Sequence, residues 1–222
     1  MIAFVQVANA GSFGSTSVPV TFGSPVTAGN LIVVIIFVGT SGAPYASVTD
    51  SLGNGPGGSY AHAGDLNVGG HCASIFYAWG VTGGADTVTA VPVAADYYGE
   101  VFILEYSGVM SAGDPLDGFS SQLQNSQTVM SSGNLTTTVA GDVLIAGFQN
   151  DSGGCDGNDN GMIVRSNPGS GTVTAKDTIV LGAPGTYAAQ SNAVSGANQR
   201  SIAAAFKAPS RPSAVIFDNT DF

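Results

Sequence analysis

The sequence predicts an all-β protein, a jelly-roll-like antiparallel β-sandwich of about ten to fourteen strands. Apolar and polar residues alternate with a period of two along most of the chain, and no stretch of about eleven residues carries a helical stripe. Short runs rich in Val, Ile, Thr and aromatic residues are separated by clusters of Gly, Asn, Asp, Ser and Pro, the residues that make turns. Only 9% of residues are charged, against roughly 25% in ordinary globular domains, while 44% are hydrophobic. Such a chain of 222 residues has the apolar material for a large core and is not disordered.

The elements follow in order. Ile2–Ala8 and Ser17–Phe22 alternate as half-buried strands, whereas Leu31–Gly39 is a continuous β-branched run that reads as a strand covered on both faces. Val48–Ser51 is a short strand that enters the turn-forming stretch Leu52–Gly58. His71–Trp79, Asp86–Val93 and Tyr97–Tyr106 read as strands, and Ser107–Ser126 as a long loop. Strands resume at Ser126–Met130, Asn134–Val139, Asp142–Asn150, Met162–Ser166, Thr172–Leu181, Thr186–Gln190 and Ser201–Lys207.

Thr27-Ala-Gly-Asn-Leu-Ile-Val-Val34 is echoed by Val139-Ala-Gly-Asp-Val-Leu-Ile-Ala146, 112 residues later. Each is a tight turn feeding a buried strand. The expected organisation is one sandwich domain over 1–208, with pseudo-repeat halves at 1–108 and 127–208 or two unrelated strands sharing a turn. Residues 209–222 form a Pro-containing linker and an apolar tail. In the tail, Val215, Ile216 and Phe217 could dock on a neighbouring subunit as an added strand or pack on their own sandwich.

Charge limits function further. The first 164 residues contain no Lys or Arg, and the five basic residues are Arg165, Lys176, Arg200, Lys207 and Arg211. A cation-free body cannot neutralise phosphates, which argues against nucleic acid and against an anionic membrane surface as partners. The net charge of −10 keeps the weakly charged chain soluble. Met1–Phe13 lacks the pattern of a secretory signal. The chain is therefore expected in a cytosol, in a particle assembled there, or as a processed product. Cys72 and Cys155 either bridge or remain two buried free thiols.

Candidate sites are few. The stretch Asn150–Gly161 places Asp151, Asp156, Asn158 and Asp159 among four glycines. Hard oxygen ligands on such a loop suit a structural Ca²⁺, although the EF-hand spacing is absent and a plain surface loop has the same composition. Glu100 and Glu105, the only glutamates, lie on opposite faces of one strand. Glu105 reads either as an acid for glycoside chemistry or as a carboxylate bonded to nearby amides. His62, His71 and Cys72 lack the spacing of a zinc site, and no G-x-S-x-G elbow or phosphate-binding glycine loop occurs. Tyr97, Tyr98 and Trp79 are the aromatics expected to stack on a glycan or to form a subunit contact.

The segments Thr27–Val34, Val48-Thr-Asp-Ser-Leu-Gly-Asn54, Phe76-Tyr-Ala-Trp79 and Ile103-Leu-Glu-Tyr-Ser-Gly108 resemble all-β modules of phage structural (decoration and fibre) proteins and of bacterial surface proteins. The resemblance implies a jelly-roll-like sandwich used for display, adhesion or reinforcement, and transfers no catalytic residue. The expected function is structural and non-enzymatic: a capsid decoration or fibre subunit, virion-borne or extracellular. It would form a homo-oligomer such as a trimer and pack with other capsid or fibre subunits, with no cofactor. The alternative is a carbohydrate-binding module, with calcium in the 151–159 loop. A glycoside hydrolase or lyase comes third.

Overall fold

A computed structural model describes residues 1–12, 14–39, 45–68, 71–93, 99–151, 153–155, 157–158, 161–168, 172–178, 181–194, 196 and 198–209. The described residues contain eighteen strands and a single 3-10 turn at Pro56–Gly58. In chain order the strands are β1 (Ala3–Ser12), β2 (Val18–Thr21), β3 (Leu31–Gly39), β4 (Tyr45–Asp50), β5 (Ala61–Val68), β6 (His71–Trp79), β7 (Thr87–Pro92) and β8 (Gly99–Ser107). They continue with β9 (Leu116–Gln124), β10 (Val129–Ser131), β11 (Leu135–Thr137), β12 (Val143–Asn150) and β13 (Gly157–Asn158). The last five are β14 (Ile163–Ser166), β15 (Val173–Thr178), β16 (Gly185–Tyr187), β17 (Gln190–Asn192) and β18 (Gln199–Phe206).

The protein is an all-β sandwich of antiparallel sheets. β1-β8-β3-β6-β5 form one five-stranded sheet, and β9-β18-β12-β15-β14 form another in the equivalent order. Each is backed by a three-stranded sheet, β2-β7-β4 or β10-β17-β13. The pair β11-β16 stands where the first half has the single bridge between Val26 and Gly84. Bulges recur as well: both Val5 and Asp117 are skipped in the pairing of their edge strands, and so are Ala63 and Arg165. A bulge is a built feature that sets local twist, so its recurrence marks the same design executed twice. Ser107–Ser126, expected as a loop, contains β9, the second-half counterpart of β1. The strand count exceeds the expected ten to fourteen because β5, β9 and the short β13 and β17 were not legible as separate strands.

Three apolar layers hold the four sheets together. Ile32, Val34, Ile36 and Val38 of β3 face the smaller sheet of their own half, with Val18, Val20, Val48 and Val88. Leu31, Val33, Ile35 and Phe37 face the other way, into a central seam shared with Val143, Ile145, Ile202, Ala204 and Phe206. Every residue of β3 is buried, which explains its uninterrupted apolar sequence. The second half repeats the plan, with Leu144, Ala146 and Phe148 turned to Met130, Met162 and Ala189.

The seam has pseudo-two-fold character. Pairing registers equate Ile35 with Gly147, and Phe102 with Ile202. A Cβ on Gly147 would lie 2.6 Å from Ile35 Cγ2 and 2.8 Å from Phe37 Cζ, so a residue meets its own equivalent across the seam, as in an isologous interface. Tyr106 donates to Asp177 Oδ2 across the seam at 2.6 Å, and the equivalent pair, Phe206 with Tyr77, packs edge to face at 5.2 Å. Arg165 completes the first contact with an ion pair to Asp177 at 2.8 Å and lies 4.2 Å over the Phe4 ring.

Candidate functional site

Antiparallel pairing brings the C-terminal ends of β3 and β12 beside the N-terminal ends of β6, β8, β15 and β18. There the seam stops being apolar and opens into a groove of about 490 Å³, lined by Phe37, Gly39, His71, Gly99, Glu100, Gln149, Asn150, Asp151, Thr172 and Val173. One half contributes Phe37, Gly39 and Glu100, and the equivalent positions in the other half are Gln149, Asp151 and Arg200. Arg200 is buried and its guanidinium forks onto Asp151, with Nη1 to Oδ1 at 2.8 Å and Nη2 to Oδ2 at 3.2 Å. Nη1 also reaches Gln149 Oε1 at 3.0 Å.

Of the two carboxylates that line the groove, Asp151 has a cationic partner and Glu100 has none among the described residues. The Asp151 carboxylate is matched by Arg200. Burial, followed by the Arg200 guanidinium, lowers the pKa of His71, while Asp151 acts the other way; the imidazole is neutral near pH 7. Its Nδ1 is buried without a hydrogen-bond partner among the described residues. Burial raises the Glu100 carboxyl, offset in part by a hydrogen bond from Asn9 Nδ2 at 2.8 Å.

The other expected site residues are dispersed. Asp151 is committed to Arg200 rather than open toward a cation. Asp156 and Asp159 lie outside the described residues, as does the Asn158 side chain, and no group of three or more His, Cys, Asp or Glu suited to a metal occurs among the described residues. Tyr97 and Tyr98 also lie outside them. Gly99, which follows them in sequence, is at the groove end of β8, whereas Trp79 is at the far end of β6 and stacks on Tyr77 at 5.6 Å. Trp79 therefore does not share a platform with the start of β8, because the nine residues of β6 separate it from His71 by roughly 26 Å. Val215, Ile216 and Phe217 are beyond the described residues. Cys72 and Cys155 are free and buried, so the bridge gives way to the two-thiol alternative. Cys155 Sγ lies 3.5 Å from the Phe148 carbonyl and 3.6 Å from Thr174 Oγ1, while Cys72 sits on β6 of the other half, 3.5 Å from Ser74 Oγ.

Glu105 is fully buried and holds a turn. Oε1 accepts from Thr27 N at 2.8 Å and Asn30 Nδ2 at 2.6 Å, and Oε2 accepts from Gln6 Nε2 at 2.6 Å. This is the amide-bonded alternative, and it explains why the segments Thr27–Val34 and Ile103–Gly108 both stood out. The third segment, Val48–Asn54, is a clasp of the same kind. Asp50 accepts from Leu52 N, Asn54 N, Asn54 Nδ2 and the Tyr60 hydroxyl, and Asn54 Oδ1 accepts from Thr82 N. Burial and Asp50 raise the Tyr60 hydroxyl far above its ordinary pKa, which keeps it a donor.

Fold and site together define an antiparallel double sandwich with a polar groove at the mouth of its central seam. Protein-family models, curated proteins and solved structures were all compared with the chain, and none matches.

Proposed function

We propose that the chain is a non-enzymatic structural component of a virion or extracellular assembly, of the capsid-decoration or fibre-subunit kind, which acts through subunit packing. The observation that supports this reading is the use the fold makes of its few ionisable groups. Asp50 and Glu105 hold turns, Asp177 and Arg165 hold the seam, and Asp117 holds the Thr138 backbone and hydroxyl. Arg200 ties Asp151 to the end of β12. A catalytic acid, base or nucleophile must instead be free to meet a substrate. A body so poor in charge also suits close packing against copies of itself, because buried unpaired charge is costly. A closed symmetric oligomer such as a trimer is the natural unit. Light scattering on a sizing column, run over a range of concentrations, tests the reading. A discrete oligomer or polymer is expected, and a monomer at every concentration would overturn it.

A further inference from the structure

Two carboxyls are buried together where β18 ends. Asp142, in the turn before β12, is fully buried, and the Asp117 side chain of β9 is 1% exposed. They lie within hydrogen-bonding reach of each other but are held very differently. Asp117 accepts from the Thr138 N–H, the Thr138 hydroxyl and the Val139 N–H. Asp142 Oδ1 accepts from Ala208 N at 3.4 Å, and its Oδ2 is buried with no partner among the described residues. The cation beside the pair is Lys207, whose Nζ lies 3.6 Å from Asp117 Oδ1 and donates to the Leu116 carbonyl at 2.9 Å. One ammonium cannot compensate two buried carboxylates. A proton on Asp142 removes the second charge and turns that carboxyl into a donor to Asp117.

We propose that this pair is a proton-operated clamp on the end of β18: with one proton shared between the carboxyls Asp142 holds Ala208, and loss of the proton lets Ala208 lift away. Residues 209–222 continue from this point, so proton binding is coupled to the place from which they start. The contacts fix which part yields. Lys207 is tied on both sides by its backbone, with its N–H on the Pro115 carbonyl at 2.8 Å and its carbonyl accepting from Met110 N at 2.9 Å. Ala208 is half-buried and covers the turn, its Cβ 3.4 Å from where a Cβ on Gly141 would stand. An ionised Asp142 needs water, and lifting Ala208 admits it while the three bonds to Asp117 stay in place. Asp117 and Lys207 are the titratable groups facing Asp142 among the described residues; Thr138, Val139 and Leu181 bring N–H and hydroxyl groups. Burial, then the bond to Asp117 and its charge, raise Asp142 to about 7, against the pull of Ala208 N and Lys207. The closed clamp thus keeps a proton that the open one releases. It is at full strength below about pH 4, weakens about tenfold per pH unit toward 7, and then levels off.

The test is amide-resolved hydrogen exchange on the full chain by NMR, expressed as protection relative to intrinsic exchange. Protection of the Ala208 amide should fall about tenfold per pH unit between about pH 4.5 and 6.5, while the amides of Lys207 and Met110 change less. In Asp142→Asn this slope should vanish, because the amide cannot ionise and still offers Oδ1 to Ala208 N. A second measurement needs no variant: the carboxyl carbon of Asp142 should titrate near 7 in the unsubstituted chain. Ala208 protection that does not vary with pH would overturn the proposal. So would an equal slope in Asp142→Asn, or an Asp142 carboxyl that titrates near the ordinary carboxyl value of about 4.

Discussion

In the first half, the Ala-Gly turn before β3 is gripped by Glu105 of β8. In the second half the equivalent position on β18 is Ala205, and the acid stands in the turn itself as Asp142. The backbone is the same in both places. Gly29 N donates to Val81 O and Val81 N to Asn30 O, and likewise Gly141 N donates to Leu181 O and Leu181 N to Asp142 O. Gly29 and Gly141 both take a positive φ, 85° and 88°. Backbone geometry is therefore preserved while the side-chain solution is exchanged, and the exchange changes how each half responds to pH.

The layers behind the larger sheets differ in the same spirit. Phe76 of the first half packs among Val18, Val34 and Tyr60 and lies 4.6 Å from the His62 ring. Its equivalent, Lys176, is buried in the second half and donates to Ser191 Oγ at 2.6 Å and to the Gly157 carbonyl. Val101 and Ile103 are matched by Ser201 and Ala203. One half is consolidated mainly by apolar volume, the other more by buried polar ties.

Breaking the first-half clasp should have the largest effect. Glu105→Ala leaves Asn30 Nδ2 buried without its acceptor and strips Thr27 N and Gln6 Nε2 of theirs, at about 3 kcal/mol, read as a lower urea midpoint with an unchanged m-value. Asp142→Asn should cost far less or even stabilise near neutral pH, because Asp142 Oδ2 has no hydrogen-bond partner among the described residues and the carboxylate lies against Asp117.

A smaller effect is expected at the seam. Gly147→Ala places its Cβ inside the contact distance of Ile35 and Phe37 and should cost about 2 kcal/mol through overpacking. The reciprocal Ile35→Val should cost about 1 kcal/mol through lost volume.

The pH response sharpens the comparison further. Burial, then the neighbouring Asp117, raises Asp142 from 3.8 to about 7. The folded protein therefore holds a proton that the unfolded chain has released, so this group's stabilisation is full below about pH 4 and is lost as pH rises toward 7. Asp117 moves the opposite way: burial opposes its charge, but the Thr138 hydroxyl and N–H outweigh that and lower its pKa. Its contribution is present above pH 4 and fades on further acidification. Asp142→Asn should flatten the fall in stability between pH 4 and 7 in denaturant titrations, leaving the acid limb in place.

The sequence is most readable where a strand is buried on both faces. Leu31–Gly39 declares itself through an unbroken β-branched run, and the repeated Ala-Gly turn is visible because both copies need the same positive-φ glycine. β5 and β9 are silent because they are edge strands in which small and polar residues interrupt the apolar positions Leu66, Leu116 and Phe119. Gly64 faces Phe119 so closely that no Cβ fits, and Ser120 is tied to Ser132 at 3.0 Å. The groove was not legible either. Its lining residues, from Phe37 to Val173, come from the ends of five strands and are gathered only by sheet order. His71 and Glu100 stood out singly, as rare residue types, with nothing in sequence to join them.

The account rests on the two halves being sealed across one apolar seam into a single unit, and amide hydrogen exchange on the intact chain tests this most directly. The central strands β3 and β12 should exchange only through global unfolding, with the same free energy and the same denaturant dependence. If β12 and its neighbours opened at a distinctly lower free energy while β3 remained protected, the halves would be independent sandwiches and the seam would not bind them.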